Sequence, residues 1–430
     1  MADPTPTTAA KSGKLRWLLV FWLFVVSAIA YLDRVNISIA GQAIAHEFHL
    51  NNIHLGWVFS AFVLGYALFQ APAGRFADKV GARKVLGLGV LWWAIFTCTI
   101  TFLSPSMSAL IVGVIGIRFV LGIGEAVMYP ASNCIVSAWV PSAERGMANG
   151  IIFAGVGFGA GLAPPIMTYT LLRYGWRASF WVSAAMGIAA GAVWYWIARD
   201  RPEDHPWISE EEKKLIVAGL PPGKAGNDGV RLKWAAIAGD RNVQALTFSY
   251  FAYGYAVYIF FSWLFIYLNN VRGLDMKKSS LYTMLPFIAM AIASPLGGWA
   301  SDRITRARGK RAGRCVLAAV SMVFCGIFLV AGAKVASVTF AVIVLAGGAG
   351  TLYLSQSSFW SVSADIAGSS SGAVSGMMNM GCQVVGAISS SLTPWIVAFH
   401  FIWHTSLLII WHTRLRSEGG TCKQTYFLQR

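Results

Sequence analysis

The sequence has few charged residues, and acidic ones are the scarcest. Aspartate, glutamate, lysine and arginine make up 12% of the 430 residues, with 18 acidic side chains against 34 basic ones. Since a soluble domain carries about 25% charged residues, this composition excludes an ordinary soluble protein. Apolar runs of about 20 residues recur along the chain and indicate a polytopic helical membrane protein.

Cysteine is also scarce, and its spacing excludes several kinds of site. None of the six cysteines forms a CxxC pair, so we expect neither a disulfide framework nor a zinc site. His400, His404 and His412 fall near one helix face, but no cysteine or carboxylate accompanies them, and we predict no metal. No HExxH or Ser/His/Asp constellation supports catalysis, so we expect that the protein is not an enzyme and that it binds no cofactor.

The apolar runs divide around one long polar stretch, residues 199–242. They lie near residues 15–40, 54–73, 85–103, 107–130, 147–170, 178–198, 243–268, 281–300, 315–332, 336–358 and 372–398, with a shorter candidate at 399–412. The polar stretch indicates a linker with one short amphipathic helix from Ser209 to Gly219. We therefore predict an all-α membrane protein of twelve helices. Its parts are an N-terminal six-span half (1–198), a linker (199–242), a C-terminal half (243–412) and an atypical tail (413–430).

Lysine and arginine counts predict the orientation of the spans. The net charge of +16 would suggest nucleic-acid binding in a soluble protein. Here, with the N-terminus inside, the inner segments hold 26 of the 34 basic residues and the outer loops hold 6. Basic residues are retained on the cytoplasmic side, so both termini and the linker are predicted there if the twelfth span crosses. The expected partner is the lipid bilayer and not nucleic acid.

One short motif occurs in each half, at the end of its second span. Residues 74–84 are GRFADKVGARK and residues 298–303 are GWASDR, and both fit Gly-x-x-x-Asp-[Lys/Arg]. The repetition indicates a parallel six-span repeat. The first copy resembles the cytoplasmic signature of the major facilitator superfamily, which implies a fold of two six-helix halves.

Further motifs resemble one branch of that superfamily, the anion:cation symporters. They are residues 31–36 (YLDRVN), 118–125 (RFVLGIGE) followed by Pro130, 139–145 (WVPSAER), 175–177 (GWR) and 200–207 (DRPEDHPW). The branch includes bacterial carriers of hexuronates, galactonate, glucarate and other organic acids, and animal vesicular carriers of glutamate and sialic acid. The resemblance covers roughly residues 15 to 398. It implies a multi-pass protein of the bacterial inner membrane, which we expect to act as a monomer.

Asp33 and Arg34 lie inside the first apolar run. A charge in hydrocarbon costs about 2.5 to 3.5 kcal/mol on insertion scales, so it is retained where it faces protein, water or a ligand. The guanidinium fork of Arg34 matches a substrate carboxylate, and Asp33 is either a proton carrier or the counter-charge of Arg34. A purely structural ion pair is the alternative. The resemblance implies substrate binding by Arg34 and protonation of Asp33.

Arg118 and Glu125 lie inside a second apolar run, seven residues apart. Seven residues are two helical turns, so both side chains share a helix face. A carboxylate in a dehydrated pocket that exchanges a proton near neutral pH is what proton coupling needs. The resemblance implies that Glu125 titrates during transport and that Arg118 holds either Glu125 or a substrate. A fixed salt bridge between helices is the alternative.

Several polar residues in the spans are candidates for contacts to substrate hydroxyls. Tyr66 either donates to a sugar acid or packs as an aromatic ring. Asn379 and Gln356 with Ser357 bond either a neighbouring helix or a polyol, since amides in hydrocarbon find a partner. The resemblance implies that Tyr66 lines a central cavity and that Asn379 matches a sugar-acid-binding asparagine.

The repeated motif supplies the gating candidates, Gly74, Asp78, Arg83 and Asp302. They lie too near the membrane surface for a transport site. Asp78 is expected to cap the N-terminus of a helix of the opposite half and to stabilise one conformation. The alternative is a solvated basic turn that only follows the topology rule.

The end of the chain departs from the family pattern. Phe399 to Trp411 gives about 13 apolar residues, and the tail from Thr413 is polar. A run of this length is short for a span, and we interpret it as a truncated or frame-shifted end.

The function predicted from the sequence is proton-coupled uptake of a small organic anion by alternating access. A sugar acid of the galactonate, glucarate or hexuronate type is the first candidate. The choice between proton and sodium as coupling ion stays open, and an antiporter or exporter of the same fold is the alternative.

Overall fold

The computed structural model describes residues 14–50, 52–107, 109–220, 233–264, 267–268, 272–274, 276–367, 370–386 and 388–389, and the regular structure in these ranges is helical. Before the linker lie α1 (Leu15–Glu47), α2 (Asn52–Val80), α3 (Ala82–Thr99), α4 (Leu110–Glu125), α5 (Met128–Trp139), α6 (Arg145–Tyr174) and α7 (Trp176–Ile197). From the linker onward lie α8 (Glu210–Gly219), α9 (Trp234–Gly239), α10 (Arg241–Tyr258), α11 (Met276–Lys310), α12 (Leu317–Lys334), α13 (Val338–Ile366) and α14 (371–386). The expected twelfth span and the tail lie outside the described residues.

Eight segments of the described residues are long and apolar enough to cross a membrane. Six of them precede the linker, and α4 and α5 together form one of these six, Leu110–Trp139. The segment Leu281–Lys334 has 54 residues, enough for two crossings, because about 20 residues span the hydrocarbon. Its backbone breaks at Gly309, where φ is 83°. The all-α membrane architecture predicted from the sequence is confirmed.

Two connections between spans are single-glycine turns. Gly81 joins α2 to α3 with φ 102°, and Gly175 joins α6 to α7 with φ 82°. Residues other than glycine avoid this left-handed region of backbone conformation. At Gly81 an added Cβ would also lie 2.9 Å from the Asp200 carboxyl carbon, whose Oδ1 accepts a hydrogen bond of 2.8 Å from Arg83 N.

The glycine-rich α6 packs against helices of both halves. An added Cβ at Gly155 would lie 2.6 Å from the Phe24 carbonyl oxygen on α1. On another face of α6, an added Cβ at Gly150 would lie 2.6 Å from the Ser294 carbonyl oxygen on α11. Small residues allow this close backbone approach between membrane helices, so α6 holds the two halves together.

The linker is anchored on the first half through its short helix. The helix expected from Ser209 to Gly219 is confirmed as α8, with Ser209 as N-cap. The buried Glu212 carboxylate accepts hydrogen bonds of 3.1 Å from the backbone nitrogens of Leu15 and Arg16. It also accepts one of 3.0 Å from Arg16 Nη1. An anion at a helix N-terminus is favourable, so Glu212 fixes the start of α1 on α8.

His205 connects the linker to the end of α7, and we expect it to make the fold sensitive to acid. Its Nε2 bonds the Ile197 carbonyl at 2.8 Å, and its ring packs edge-on against Trp139. Burial lowers the pKa of His205 below its ordinary value of 6.5. The unfolded chain therefore binds the proton first, and stability falls as the pH drops below about 6.5. Between pH 7.5 and pH 5.5, the melting temperature of the native protein should fall further than that of the variant His205→Gln. An equal fall in both proteins would contradict the role of His205 in this acid sensitivity.

Candidate functional site

Four charged side chains from α1 and α4 meet in the interior of the first half. Asp33 and Arg34 lie midway along α1, and Arg118 and Glu125 lie on α4. Asp33 is 5% exposed, and Arg118 and Glu125 are each 3% exposed. We call these four residues the charged cluster. A charge is retained at such depth only where it has partners or a ligand.

An ion pair between helices joins α1 to α4. Arg34 Nη2 donates to Glu125 Oε2 at 3.0 Å. The sequence offered Asp33 as the counter-charge of Arg34 and Arg118 as the holder of Glu125, and the structure makes neither of these ion pairs. Consecutive residues on a helix do not face each other, so Asp33 and Arg34 point to different neighbours.

Asp33 faces the helices behind the ion pair. Its Oδ2 accepts a hydrogen bond of 2.8 Å from Thr97 Oγ1 on α3, and its Oδ1 accepts one of 2.6 Å from Ser183 Oγ on α7. Both carboxylate oxygens are therefore bonded to hydroxyl groups. The arrangement suits a carboxylate or a carboxylic acid, because a hydroxyl can donate or accept.

Arg118 is a buried cation without an ionic partner in the described part of the chain. None of the described carboxylates lies within 4.0 Å of its guanidinium, and its Nε has no hydrogen-bond acceptor there. Its Cζ lies 4.7 Å from the centre of the Phe62 ring. A cation over an aromatic face is stabilised, but the donors of the guanidinium remain available to an anion.

Aromatic rings of α1 and α2 enclose Arg34. Its Cζ lies 4.4 Å from the ring centre of Tyr66, 4.6 Å from that of Tyr31 and 5.0 Å from that of Phe62. Tyr31 also approaches Phe261 of the second half, with ring centres 6.2 Å apart. Tyr66 therefore lies beside the charged cluster, and Phe62 and Tyr31 are cluster neighbours that sequence reasoning missed.

The second-half candidates make hydrogen bonds to other protein groups or have none. Asn379 Nδ2 donates to Gln70 Oε1 at 3.0 Å, across the two halves. Gln356 Nε2 donates to the Tyr250 hydroxyl at 3.0 Å. Ser357 is fully buried, and its hydroxyl has no partner among the described residues. Gln70 was not predicted, although it lies one helical turn after Tyr66 on the same face.

Both copies of the repeated motif bond a helix of the opposite half. Asp78 accepts hydrogen bonds from Gly372 N at 2.9 Å and Ala373 N at 2.8 Å, at the start of α14. Asp302 accepts from Gly146 N at 2.9 Å and Met147 N at 2.7 Å, at the start of α6. We call the end of the bundle that carries the linker and these two caps the linker face.

The other motif residues differ in their relation to the caps. An added Cβ at Gly74 would collide with the Gly372 carbonyl oxygen, so Gly74 allows α2 to approach α14. Arg83 is directed away from the second half, because the turn at Gly81 redirects the chain. Its guanidinium donates to the Tyr195 carbonyl at 2.7 and 3.0 Å.

Further ion pairs lie at the linker face, and sequence reasoning missed them. The pair of Arg145 with Asp365 joins the two halves, whereas the pairs made by Lys310 and Arg314 lie within the second half. Arg145 Nη1 bonds Asp365 Oδ1 at 2.6 Å, and Lys310 Nζ lies 3.2 Å from Asp365 Oδ2. Arg314 Nη2 lies 2.8 Å from Asp302 Oδ1. This face of the bundle is closed by contacts between the halves.

Comparison with known proteins identifies the architecture as that of a transporter. Residues 23–390 match the family model described as Major Facilitator Superfamily. A probable sulfoacetate transporter of Cupriavidus necator is 34% identical over 390 residues, 89% of this chain and 88% of that protein. A probable galactarate/D-glucarate transporter of Escherichia coli K12 is 31% identical over 306 residues, 69% of each chain. The E. coli fucose:proton symporter has the same fold, with a TM-score of 0.66 at 16% identity over 89% of this chain and 92% of that one.

Proposed function

The chain belongs to the major facilitator superfamily, and from that membership we propose that it carries a small organic anion across the membrane together with protons. It is a multi-pass membrane transporter rather than an enzyme. We place it in the bacterial inner membrane with the linker face toward the cytoplasm, acting as a monomer. The substrate proposed first is a sugar acid, in keeping with the galactarate/D-glucarate named for one relative.

The observation that carries the proposal is the buried ion pair between Arg34 and Glu125. A guanidinium fork binds a carboxylate through two parallel hydrogen bonds, so a substrate carboxylate and the Glu125 carboxylate compete for Arg34. Protonation of Glu125 releases Arg34 to the substrate. Deprotonation of Glu125 restores the ion pair and displaces the anion. This competition couples the proton to the substrate.

The electrical work of uptake favours such coupling. A negative charge that enters against an inside-negative potential of about 100 mV costs about 2.3 kcal/mol. One proton per substrate charge cancels this cost, and an excess of protons reverses it. Asp33 is the second candidate proton carrier because it is buried beside Arg34 and its hydrogen bonds within the described structure go to hydroxyl groups.

The two caps at the linker face support a gating role for Asp78 and Asp302. While both carboxylates bond the opposite half, the linker face is closed, and we infer that substrate enters from the other face. Loss of the caps would open the linker face as the halves rock about the central site. Gly74 serves this contact by allowing close approach, whereas Arg83 supports α3 within its own half.

Polar side chains from both halves complete the proposed site. Tyr66 lies beside Arg34 and offers a hydroxyl. Asn379 and Gln356 are proposed to exchange their present partners for substrate hydroxyls. Ser357, whose hydroxyl has no partner among the described residues, is proposed to bond a substrate hydroxyl directly. If Asn379 leaves Gln70 to bond the substrate, substrate binding is coupled to the interface between the halves.

Removing the Asp78 cap is expected to expose the native Cys134 thiol. Cys134 is half-buried, and its Sγ lies 3.3 Å from Asp78 Oδ1. A lost cap costs about 1 kcal/mol, so Asp78→Ala should raise the population open at the linker face roughly fivefold. The measurement is the alkylation rate of Cys134 by mass spectrometry, with the exposed Cys315 as internal reference.

The matched control is Asp240→Ala, which removes a cap inside one half. Asp240 Oδ1 accepts hydrogen bonds from Asn242 N at 2.7 Å and Val243 N at 3.1 Å. Asp302→Ala should accelerate Cys134 alkylation as Asp78→Ala does, and Asp240→Ala should leave it unchanged. An unchanged rate in both Asp78→Ala and Asp302→Ala would refute the gating role.

The transport proposal is tested with purified protein in liposomes. Uptake of labelled glucarate and sulfoacetate is measured with an inward proton gradient, an outward proton gradient and a sodium gradient. A symporter accumulates the anion when the outside is acidic. An exporter or antiporter accumulates it under the opposite gradient. Uptake driven by the sodium gradient alone would identify sodium, and not the proton, as the coupling ion.

A further inference from the structure

We propose that the transported anion carries two acidic groups, one bound by Arg34 and the other by Arg118. The inference rests on the proposed function and narrows its substrate class. It selects small diacids, with two carboxylates or a carboxylate and a sulfonate, over sugar acids that carry one carboxylate.

The two guanidiniums lie against the same aromatic ring. Cζ of Arg34 is 5.0 Å and Cζ of Arg118 is 4.7 Å from the centre of the Phe62 ring. Nε of each arginine is buried and has no hydrogen-bond acceptor among the described residues. Two forks with free donors therefore lie within the reach of one small molecule.

The charge balance of the cluster calls for two negative charges. Glu125 neutralises Arg34, but none of the described carboxylates lies within 4.0 Å of the Arg118 guanidinium. Both oxygens of Asp33 are bonded to the hydroxyls of Thr97 and Ser183. When protons neutralise Glu125 and Asp33, both guanidiniums are left without a counter-charge.

A substrate with one acidic group would compensate only one of these cations. The protonated cluster would then keep one uncompensated positive charge, whereas the ionised cluster is neutral, and a buried net charge is strongly unfavourable in a low-dielectric interior. A second acidic group on the same molecule removes that penalty and gains charge-assisted hydrogen bonds. Hydroxyls between the acidic groups would add weaker contacts to the second half.

The test compares matched pairs of ligands that differ in one acidic group. Glucarate is paired with gluconate, succinate with butyrate, and sulfoacetate with acetate. Dissociation constants are measured by calorimetry on the purified wild-type protein, and each ligand is also tested for counterflow in liposomes. We expect at least one diacid to bind at least about tenfold more tightly than its monoacid partner.

Arg118→Gln links the preference to this residue. In the variant we expect the diacid to lose about tenfold or more in affinity, while its monoacid partner changes by less than about threefold. Arg118→Lys keeps the charge and should retain part of the preference. A melting curve shows whether each variant is folded, and the wild-type comparison is decisive without either of them.

The outcomes separate this inference from the transport proposal. Monoacids that bind and exchange as well as their diacid partners would overturn the two-group substrate and leave anion transport intact. A folded Arg118→Gln that keeps the full diacid preference would overturn it as well. If no organic acid of either kind binds or undergoes counterflow, the transport proposal itself fails.

Discussion

Arg34→Ala is expected to abolish uptake of the anion. Arg34 is the only cation of the charged cluster that makes an ion pair in the described structure, and three aromatic rings lie within 5.0 Å of its Cζ. Each hydrogen bond to a charged group is worth about 1.5 to 3 kcal/mol. Loss of a two-bond contact should therefore weaken binding at least about 100-fold. The measurement is proton-driven uptake together with the dissociation constant.

Two variants separate loss of binding from loss of folding. Arg34→Ala leaves Glu125 buried without its partner, which can destabilise the fold by about 3 to 5 kcal/mol. Arg34→Ala combined with Glu125→Gln removes both charges and should melt like the native protein while still failing to bind. Arg177→Ala, which breaks the ion pair with Glu47 at the far end of α1, should keep transport. Uptake that survives in Arg34→Ala would remove this residue from the site.

Glu125→Gln is expected to spare exchange and to abolish accumulation against a gradient. Glutamine resembles the protonated side chain, so Arg34 stays available to the anion, but no proton is bound or released. For one coupled proton, each pH unit supplies about 1.4 kcal/mol, or roughly tenfold accumulation. The variant should reach only equal concentrations on both sides of the membrane. Counterflow and gradient-driven uptake, measured on the same vesicles, provide the comparison.

Glu47→Gln is the matched control for this variant. Glu47 Oε1 also pairs with an arginine, at 2.6 Å from Arg177 Nη2, but it lies apart from the charged cluster. It should keep gradient-driven accumulation. Full accumulation by Glu125→Gln would exclude Glu125 as the coupling residue and leave Asp33 as the candidate.

Much of the fold follows from local patterns in the sequence. The lengths of the apolar runs indicate the six spans before the linker, although not the division of the fourth into α4 and α5. Ser209 before three glutamates marks the start of α8. The repeated motif indicates a carboxylate at the N-terminus of a helix in the opposite half, and Asp78 and Asp302 both have those backbone donors. Each of these features depends on residues close together in the chain or on an internal repeat.

Partner choice inside the bundle could not be predicted in the same way. Spacing places Arg118 and Glu125 on one face of α4, yet Glu125 bonds Arg34 on α1. Asn379 bonds Gln70, 309 residues away in the chain. Such contacts depend on how distant helices rotate and pack against each other, and local patterns in the sequence do not reveal this packing. Arg83 illustrates the same limit, because its direction depends on the left-handed turn at Gly81.

The most direct test of coupling through Glu125 is proton entry into liposomes that contain a pH-sensitive dye. With no imposed proton gradient, an inward gradient of the anion should acidify the interior of vesicles that hold the native protein. Vesicles with Glu125→Gln should take up the anion down its gradient without acidification. Anion uptake by the native protein with no acidification, or equal acidification in the variant, would contradict the competition between substrate and Glu125 for Arg34.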